Sequence, residues 1–322
     1  MGHIFAGLYL VPAVGVHINP VTMATVAAWT GAAGQNNADC VLFDGTYIYV
    51  GLGASPSIVV KIDPATMATV AVWSSDLYGT DVTGLAFDGA FLYASILKSP
   101  SSVVKIDPAT MATVAVWTGA AGEDSGSDLC FDGVFLYCCF GTTPAIVVKI
   151  NPATMATVAV WTGAAGNNTG LKVISDGAYI YVGLGTFPAR VIKINPATMA
   201  TVAVWTGPVG WDSCDSLAHD GAFVYAGIGV SPAIVVKIDP ATMAAVAAWS
   251  GAAGEDYCEA LSFNGVVLYA GLYVAPARVV KIDPATMTTV AVWIGAAGQN
   301  NCYALALFPF GRADHLPLMG VH

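Results

Sequence analysis

A chain of 322 residues can bury a large core, and at 56% hydrophobic against only 10% charged residues it is no disordered segment. Its 21 acidic residues outnumber 11 Lys and Arg, a net charge of -10 that excludes the basic footprint of a nucleic-acid binder. No run approaches the ~20 apolar residues of a spanning helix, no basic-then-apolar leader opens the chain, and seven cysteines without a CxxC pair suit neither a complete disulfide framework nor a zinc ribbon.

From the N-terminus, His3–Leu10 and Val16–Asn19 are strand-like stretches that have full counterparts further on. The first complete unit predicts four short strands, Cys40–Phe43, Tyr47–Leu52, Ile58–Asp63 and Thr69–Trp73, rich in Val, Ile and Tyr. Asp44-Gly45 is a hairpin signal between the first two. The segment from Gly51 to Ser57 joins the second and third, and Asp63-Pro64-Ala65-Thr66 turns the third into the fourth. The unit then recurs at a fixed interval. Trp29, Trp73, Trp117, Trp161, Trp205, Trp249 and Trp293 are each 44 residues apart, as are the methionines from Met23 to Met287. That period is in the range of propeller blades.

The two ends complement each other. Met1 aligns with Gly45, so the chain enters at the second strand of a unit, and Tyr303–Leu307 aligns with Asp39–Phe43, a first strand. The expectation is an all-β, closed seven-bladed β-propeller of four-stranded blades spanning 1-308, its last blade built from both termini, with 309-322 left as a tail. A parallel solenoid is the rival, disfavoured by the long period and the missing polar end caps.

Phe-Asp-Gly-Ala-Phe-Leu-Tyr-Ala, Val-Val-Lys-Ile-Asp-Pro-Ala-Thr and Val-Ala-Val-Trp together resemble the YVTN/NHL-type propeller repeat. The unit is also similar to the PQQ-like repeat. Quinoprotein dehydrogenases of that type have eight blades and a Gly where this chain has Met, so no quinone, and no other cofactor, is expected. The resemblance is architectural and does not carry a function.

Comparison of the copies with one another separates constant from variable parts. The stretch from Val-Val-Lys through Trp hardly changes, whereas the loop after Gly-Ala-Ala-Gly and the loop between strands two and three do. Both loops are expected on one face. Eleven acids fall between the Trp and the next first strand, against Lys98, Lys172, Arg190 and Arg278. A mouth of that charge suits a cation, a polyamine or a basic partner. The candidate residues are Asp81, Glu123, Asp124, Asp128, Asp212, Asp215, Glu255, Asp256 and Glu259, with Trp211 and Tyr257 as apolar surface; solvated loops are the bland alternative.

The repeated Lys61, Lys105, Lys149, Lys193, Lys237 and Lys281, with His17 in the seventh place, are expected to pair with the Asp of the Asp-Gly turn. Cys214, Cys258 and Cys302 share an offset and are expected to be small buried residues rather than a metal cluster. His219 is the one histidine on a channel strand, and no nucleophile–base pair is legible, so no enzyme is expected; a lactonase- or lyase-like site using Asp128, Asp215 and Glu259 is the weakest reading. The fourth strand, Met-Ala-Thr-Val-Ala-Val-Trp, is a chargeless outer edge without Pro. The function expected first is therefore non-catalytic assembly with other copies of this chain through these edges and the apolar tail residues Leu316, Leu318 and Met319. A binding module built on the acidic face comes second.

Overall fold

Short Val-, Ile- and Tyr-rich stretches separated by tight turns pair with their nearest neighbours in sequence, and this produces seven separate four-stranded antiparallel sheets. The computed structural model describes residues 2–309, which form 28 strands and no helix. Blade 1 consists of Ala38–Phe43, Ile48–Leu52, Ser57–Asp63 and Ala68–Ser75, running from the channel outward. Blades 2 to 6 repeat this pattern. In blade 7 the innermost strand is Cys302–Pro309, and it pairs with Gly2–Leu8, then Val14–Asn19 and Ala24–Thr30. Ile4 stands opposite Leu307 and Phe5 opposite Ala306, so both ends of the described chain share one sheet. The antiparallel sheets and this closure exclude the solenoid. Leu316, Leu318 and Met319 lie outside the described residues.

The expected strands are present, with small shifts at their ends. The innermost strand of blade 1 begins at Ala38 rather than Cys40, and the outer one runs from Ala68 to Ser75. In the Asp-Gly turn, Asp44 Oδ1 accepts the N–H groups of Thr46 and Tyr47, both at 2.7 Å, and Oδ2 accepts the Tyr49 hydroxyl at 2.9 Å. Gly45 takes φ +99°, open to glycine at no steric cost.

The core sits between blades. Tyr137, Val147 and Trp161 of blade 3 pack against Ile180, Val182, Ile192 and Met199 of blade 4. Polar latches cross the same seams. Trp29 Nε1 donates to Thr69 Oγ1 of the next blade at 2.9 Å, and the contact recurs around the ring up to Trp293 and Thr25 at 3.0 Å. The repeated lysine forms the second latch, and the expected ion pair is not what it makes. Lys61 Nζ donates to the Pro108 carbonyl of the next blade at 2.7 Å and stands 3.9 Å from the centre of the Tyr47 ring. Lys281 closes the circle on Pro20 O at 2.9 Å. A buried ammonium needs acceptors, and an unpaired turn carbonyl with a tyrosine face supplies them. The Asp of the turn is already occupied by its own backbone and tyrosine. Among the described residues the only ion pair within 4.0 Å joins Arg278 to Glu255.

The outer edges are also better protected than their composition suggests. In blade 1 Lys61 faces Ala71 and Ile62 faces Thr69, which leaves Val70 as an extra residue on the edge strand. The same bulge recurs in every blade, interrupting the edge midway.

One tryptophan latch has no partner. The residue that should accept from Trp205 is Ala245, where the other copies have Thr. Ala245→Thr should complete the ring of latches and raise stability by about 1 kcal/mol. Ala245→Val, with the same branching but no hydroxyl, should recover less. Equal gains from the two in chemical unfolding would show that the hydrogen bond contributes nothing.

Candidate functional site

Each innermost strand carries its own β-bulge, and these seven bulges build the channel mouth. Ala38 faces Leu52 and Cys40 faces Gly51, so Asp39 is the unpaired residue of blade 1. The same shift in the other blades frees Thr83, Ser127, Leu171, Asp215, Glu259 and Tyr303. Freed from the ladder, these side chains line one cavity of about 230 Å³ on the face of the variable loops. Around the ring, Asp215, Glu259, Tyr303 and Asp39 form a contiguous arc, and Thr83, Ser127 and Leu171 complete it.

Small residues make room for two of the carboxylates. Gly53 and Gly229 end the second strands beside Asp39 and Asp215. A Cβ at Gly229 would collide with the Asp215 carboxylate, and one at Gly53 would stand 2.7 Å from Asp39 Oδ2. At the equivalent places beside Glu259 and Tyr303 the chain has Tyr273 and Tyr9. The rings of Tyr9, Tyr273 and Tyr303 lie 5.3–6.4 Å apart and flank the acidic arc.

One residue deeper, Asp128 and Lys172 hold equivalent positions in adjacent blades. Asp128 Oδ2 accepts the Val173 N–H at 3.0 Å. Burial works against the Lys172 ammonium, but the Asp128 carboxylate, with Tyr303, Cys40 and Cys139 behind it, outweighs burial and holds its pKa above the usual lysine value. The acids respond to the same enclosure. Burial, reinforced by Asp81, pushes Asp39 up to about 7, and burial reinforced by Asp215 pushes Glu259 up to about 7; Lys172 opposes both shifts. Burial also raises Asp128 and Asp215, against Lys172 in both cases and against the Ser213 hydroxyl bond at Asp215. Asp39 Oδ1 is buried and accepts no hydrogen bond.

The mouth therefore gathers four carboxylates around one ammonium. No three His, Cys, Asp or Glu side chains among the described residues stand close enough to hold a metal ion. Two hydroxyls nearby are engaged with backbone, Thr83 Oγ1 donating to Gly126 O at 2.7 Å and Ser216 Oγ to Cys258 O at 2.8 Å, whereas Ser213 Oγ donates to Asp215 Oδ1. Carboxyls with a pKa near 7 can exchange protons at neutral pH. An array of them with a protonated lysine is best suited to holding a cationic group.

Of the residues selected from sequence, Asp128, Asp215 and Glu259 converge here, and Asp81 stands beside Asp39 at the rim. The others serve different ends. Glu123 accepts the Ala120 N–H at 2.7 Å, and Glu255 accepts the Ala252 N–H at 2.9 Å while pairing with Arg278. Both close the Gly-Ala-Ala-Gly turn, as Gln35 and Gln299 do in other blades. Asp124 and Asp256 accept the hydroxyls of Ser99 and Ser231. Trp211 leans on Trp205, and Asp212 and Tyr257 are exposed on the rim. Asp39 and Lys172 join the site from the wider set of charges on that face, and Tyr303 is a further member. Cys214, Cys258 and Cys302 point between blades, against Gly183, Gly227 and Gly271 of the preceding blade, as buried thiols whose pKa burial raises. His219 ends the innermost strand of blade 5, at the opposite end of the channel from the mouth.

No family model matches the chain, and no curated protein matches it either. Among solved structures it is similar to hydrazine synthase of Kuenenia stuttgartiensis, with a TM-score of 0.66 and 17% identity over 76% of each chain. A likeness at that identity concerns the propeller fold alone.

The raised carboxyls have a consequence for stability. The folded state retains protons on Asp39 and Glu259 that the unfolded chain would release at about pH 4. Their contribution is complete below that pH and is lost as pH rises through 7. Asp39→Asn and Glu259→Gln should therefore gain melting temperature relative to wild type as pH rises from 5 to 8. A difference from wild type that stays flat across this range would show that neither group is enclosed as described.

Proposed function

We propose that this chain is a non-catalytic interaction module that holds a cationic group at its acidic channel mouth. The observation that carries the reading is the delivery of Asp39, Asp215 and Glu259 by equivalent bulges into one cavity, above Asp128 and against the single ammonium of Lys172. Such a concentration of one sign in a walled site focuses its field on an incoming cation. The non-catalytic part is supported by a lysine held protonated and by the Thr83 and Ser216 hydroxyls committed to backbone carbonyls, while the Ser213 hydroxyl is bonded to Asp215. We read the repeat as one of the YVTN/NHL type from the spacing of its Phe-Asp-Gly, Val-Lys-Ile-Asp-Pro and Val-Trp segments.

A second reading is self-association around the circumference, with the tail residues Leu316, Leu318 and Met319 taking part. It is favoured by the bulge valines, from Val26 to Val290, which are 48–54% exposed in a belt without charge. Because the bulges interrupt strand pairing, copies would meet side-on through these valines rather than by adding strands.

The two readings differ in their response to salt. A cation held at the mouth should raise the melting temperature at millimolar calcium, spermidine or oligolysine in low salt, and lose that effect in 0.5 M NaCl. No shift with any of the three would remove the binding reading. Association through the valine belt should survive the same salt, and Val114→Lys with Val158→Lys should lower the mass measured by light scattering. A wild-type chain that scatters as a monomer at high concentration would remove the second reading.

A further inference from the structure

The turn between the first two strands of blade 6 departs from its siblings at Asn264, which stands where the other complete blades carry Asp44, Asp88, Asp132, Asp176 and Asp220. Asn264-Gly265 is the chain's only Asn-Gly step. Asn19, Asn151 and Asn195 precede Pro, which has no N–H to lose, and the remaining asparagines precede residues with side chains. A following glycine lets the next backbone nitrogen reach the asparagine Cγ with least obstruction. The hairpin itself keeps the ordinary register, with Phe263 opposite Leu268 and the Asn264 N–H on Val267 O at 3.2 Å.

The groups that an attack on Cγ needs surround this side chain. Oδ1 accepts the N–H groups of Val266 at 3.0 Å and Val267 at 2.9 Å, so a negative charge growing on that oxygen meets two donors already in place. These bonds put Nδ2 on the other side, where it donates to the Tyr269 hydroxyl oxygen at 3.2 Å. Burial pushes Tyr269 up to about 12, so its proton is present in mild base. Gly265 is exposed at φ +89°, with open space where a Cβ would stand, and its N–H makes no hydrogen bond among the described residues. The sibling turns show that the same place suits a carboxylate. Asp88 Oδ2 accepts the Tyr93 hydroxyl at 2.7 Å, and Asp220 Oδ2 the Tyr225 hydroxyl at 2.6 Å. Against burial, these hydroxyls, two turn N–H groups and the lysine of the same blade hold both carboxyls below their usual value. Lys281 of blade 6 lacks such support. Val267 stands where five other blades place a Tyr or Phe ring under the lysine, and Asn264 brings it no charge.

We propose that Asn264 deamidates within the folded ring and so converts the blade 6 turn to the Asp-Gly form of its siblings. The Gly265 nitrogen bonds to Cγ and gives its proton to water. The Val266 and Val267 N–H groups hold the charge on Oδ1, the Cγ–Nδ2 bond breaks, and the nitrogen leaves as ammonia with a proton from Tyr269, which recovers one from solvent. Water then adds to Cγ of the cyclic imide. The Gly265 N–Cγ bond breaks, that nitrogen regains a proton, and a carboxylate stands at position 264. One water is consumed and one ammonia released, with no change of oxidation state. Opening the imide at its other carbonyl would put an extra carbon into the hairpin backbone, which the register of Phe263 on Leu268 does not accommodate. The new carboxylate accepts the Tyr269 hydroxyl and faces Lys281, the residue that reaches Pro20 O across the seam to the closing blade.

The test is peptide mapping by mass spectrometry of the full chain held at about pH 8, beside the same chain unfolded in urea. The folded chain should lose ammonia at position 264 at least as fast as the unfolded one, and its product should have an ordinary rather than an iso-linked aspartyl backbone. Tyr269→Phe should slow the loss about tenfold or more in the folded chain and leave the rate in urea unchanged. Thermal melts show whether that variant folds, and the comparison of folded with unfolded wild type stands without it. Asn264→Asp should melt above fresh wild type at neutral pH. Its gain should fade as the pH falls below about 4, because a carboxyl held below its usual value stabilises only while ionised. Slower loss in the folded wild type would mean that the turn protects Asn264 and would overturn the proposal, as would an iso-linked product. An unchanged rate in folded Tyr269→Phe would remove Tyr269 from the reaction. An Asn264→Asp chain that melts below wild type would overturn the claim that a carboxylate completes this turn.

Discussion

No blade of this ring is complete alone. The apolar face of each sheet is covered by its neighbour, and the polar groups at its edges are satisfied there as well: the tryptophan donates to a threonine one blade on, and the lysine to a proline carbonyl one blade on. A linear array would leave one end with donors lacking acceptors and the other with an uncovered sheet. Closure removes both ends. The blade assembled from Gly2–Leu8 and Cys302–Pro309 is therefore the point on which the other contacts depend. Lys281 and Trp293 reach across that junction to Pro20 and Thr25, residues 261 and 268 positions away in sequence.

The division of labour within each blade follows from this. The third and outer strands make the inter-blade latches and hardly vary between copies. The innermost strand meets its equivalents around the channel, and its bulged residue makes no ladder contact. That position is free to differ, and it reads Asp, Thr, Ser, Leu, Asp, Glu and Tyr around the ring. The scaffold thus keeps seven equivalent places whose backbone is fixed and whose chemistry is open. A charged group there is positioned by a strand rather than by a mobile loop.

The period, the strand order, the turn chemistry and the shared blade were all legible, because each depends on local residue types recurring at one spacing. The identity of the site was legible only in part. Asp128, Asp215 and Glu259 could be selected because they are acids at the start of an inner strand. Asp39 and Tyr303 hold the same offset as Asp215 and Glu259, but the bulge that frees this offset into the channel is a matter of strand register and not of residue type. Glu123 and Glu255 misled for the opposite reason: their carboxylates serve as hydrogen-bond acceptors in a turn. The signal was available in Gln35 and Gln299, since a neutral residue doing the same work at the same offset means that charge is not what the position requires. The lysine partner could not be read at all, because a backbone carbonyl of the next blade leaves no trace in residue types.

Most seams between neighbouring innermost strands are filled by very small pairs, Gly51 against Val82 being a bulkier one. Gly183 meets the Cys214 sulfur, and Gly227 and Gly271 meet Cys258 and Cys302, at 2.7–2.8 Å from where a Cβ would stand. Between blades 3 and 4 the order is reversed, with Cys139 against Gly170. Their volumes bear on the wedge angle between blades. Since each latch that forms finds its partner one period downstream, a recombination event that added or removed a whole unit of the gene would leave nearly all latches satisfied. Copy number would then be limited by angle rather than by bonding. A ring of six or eight would need a different set of volumes along these seams, so the small side chains packed there bear on the count of seven.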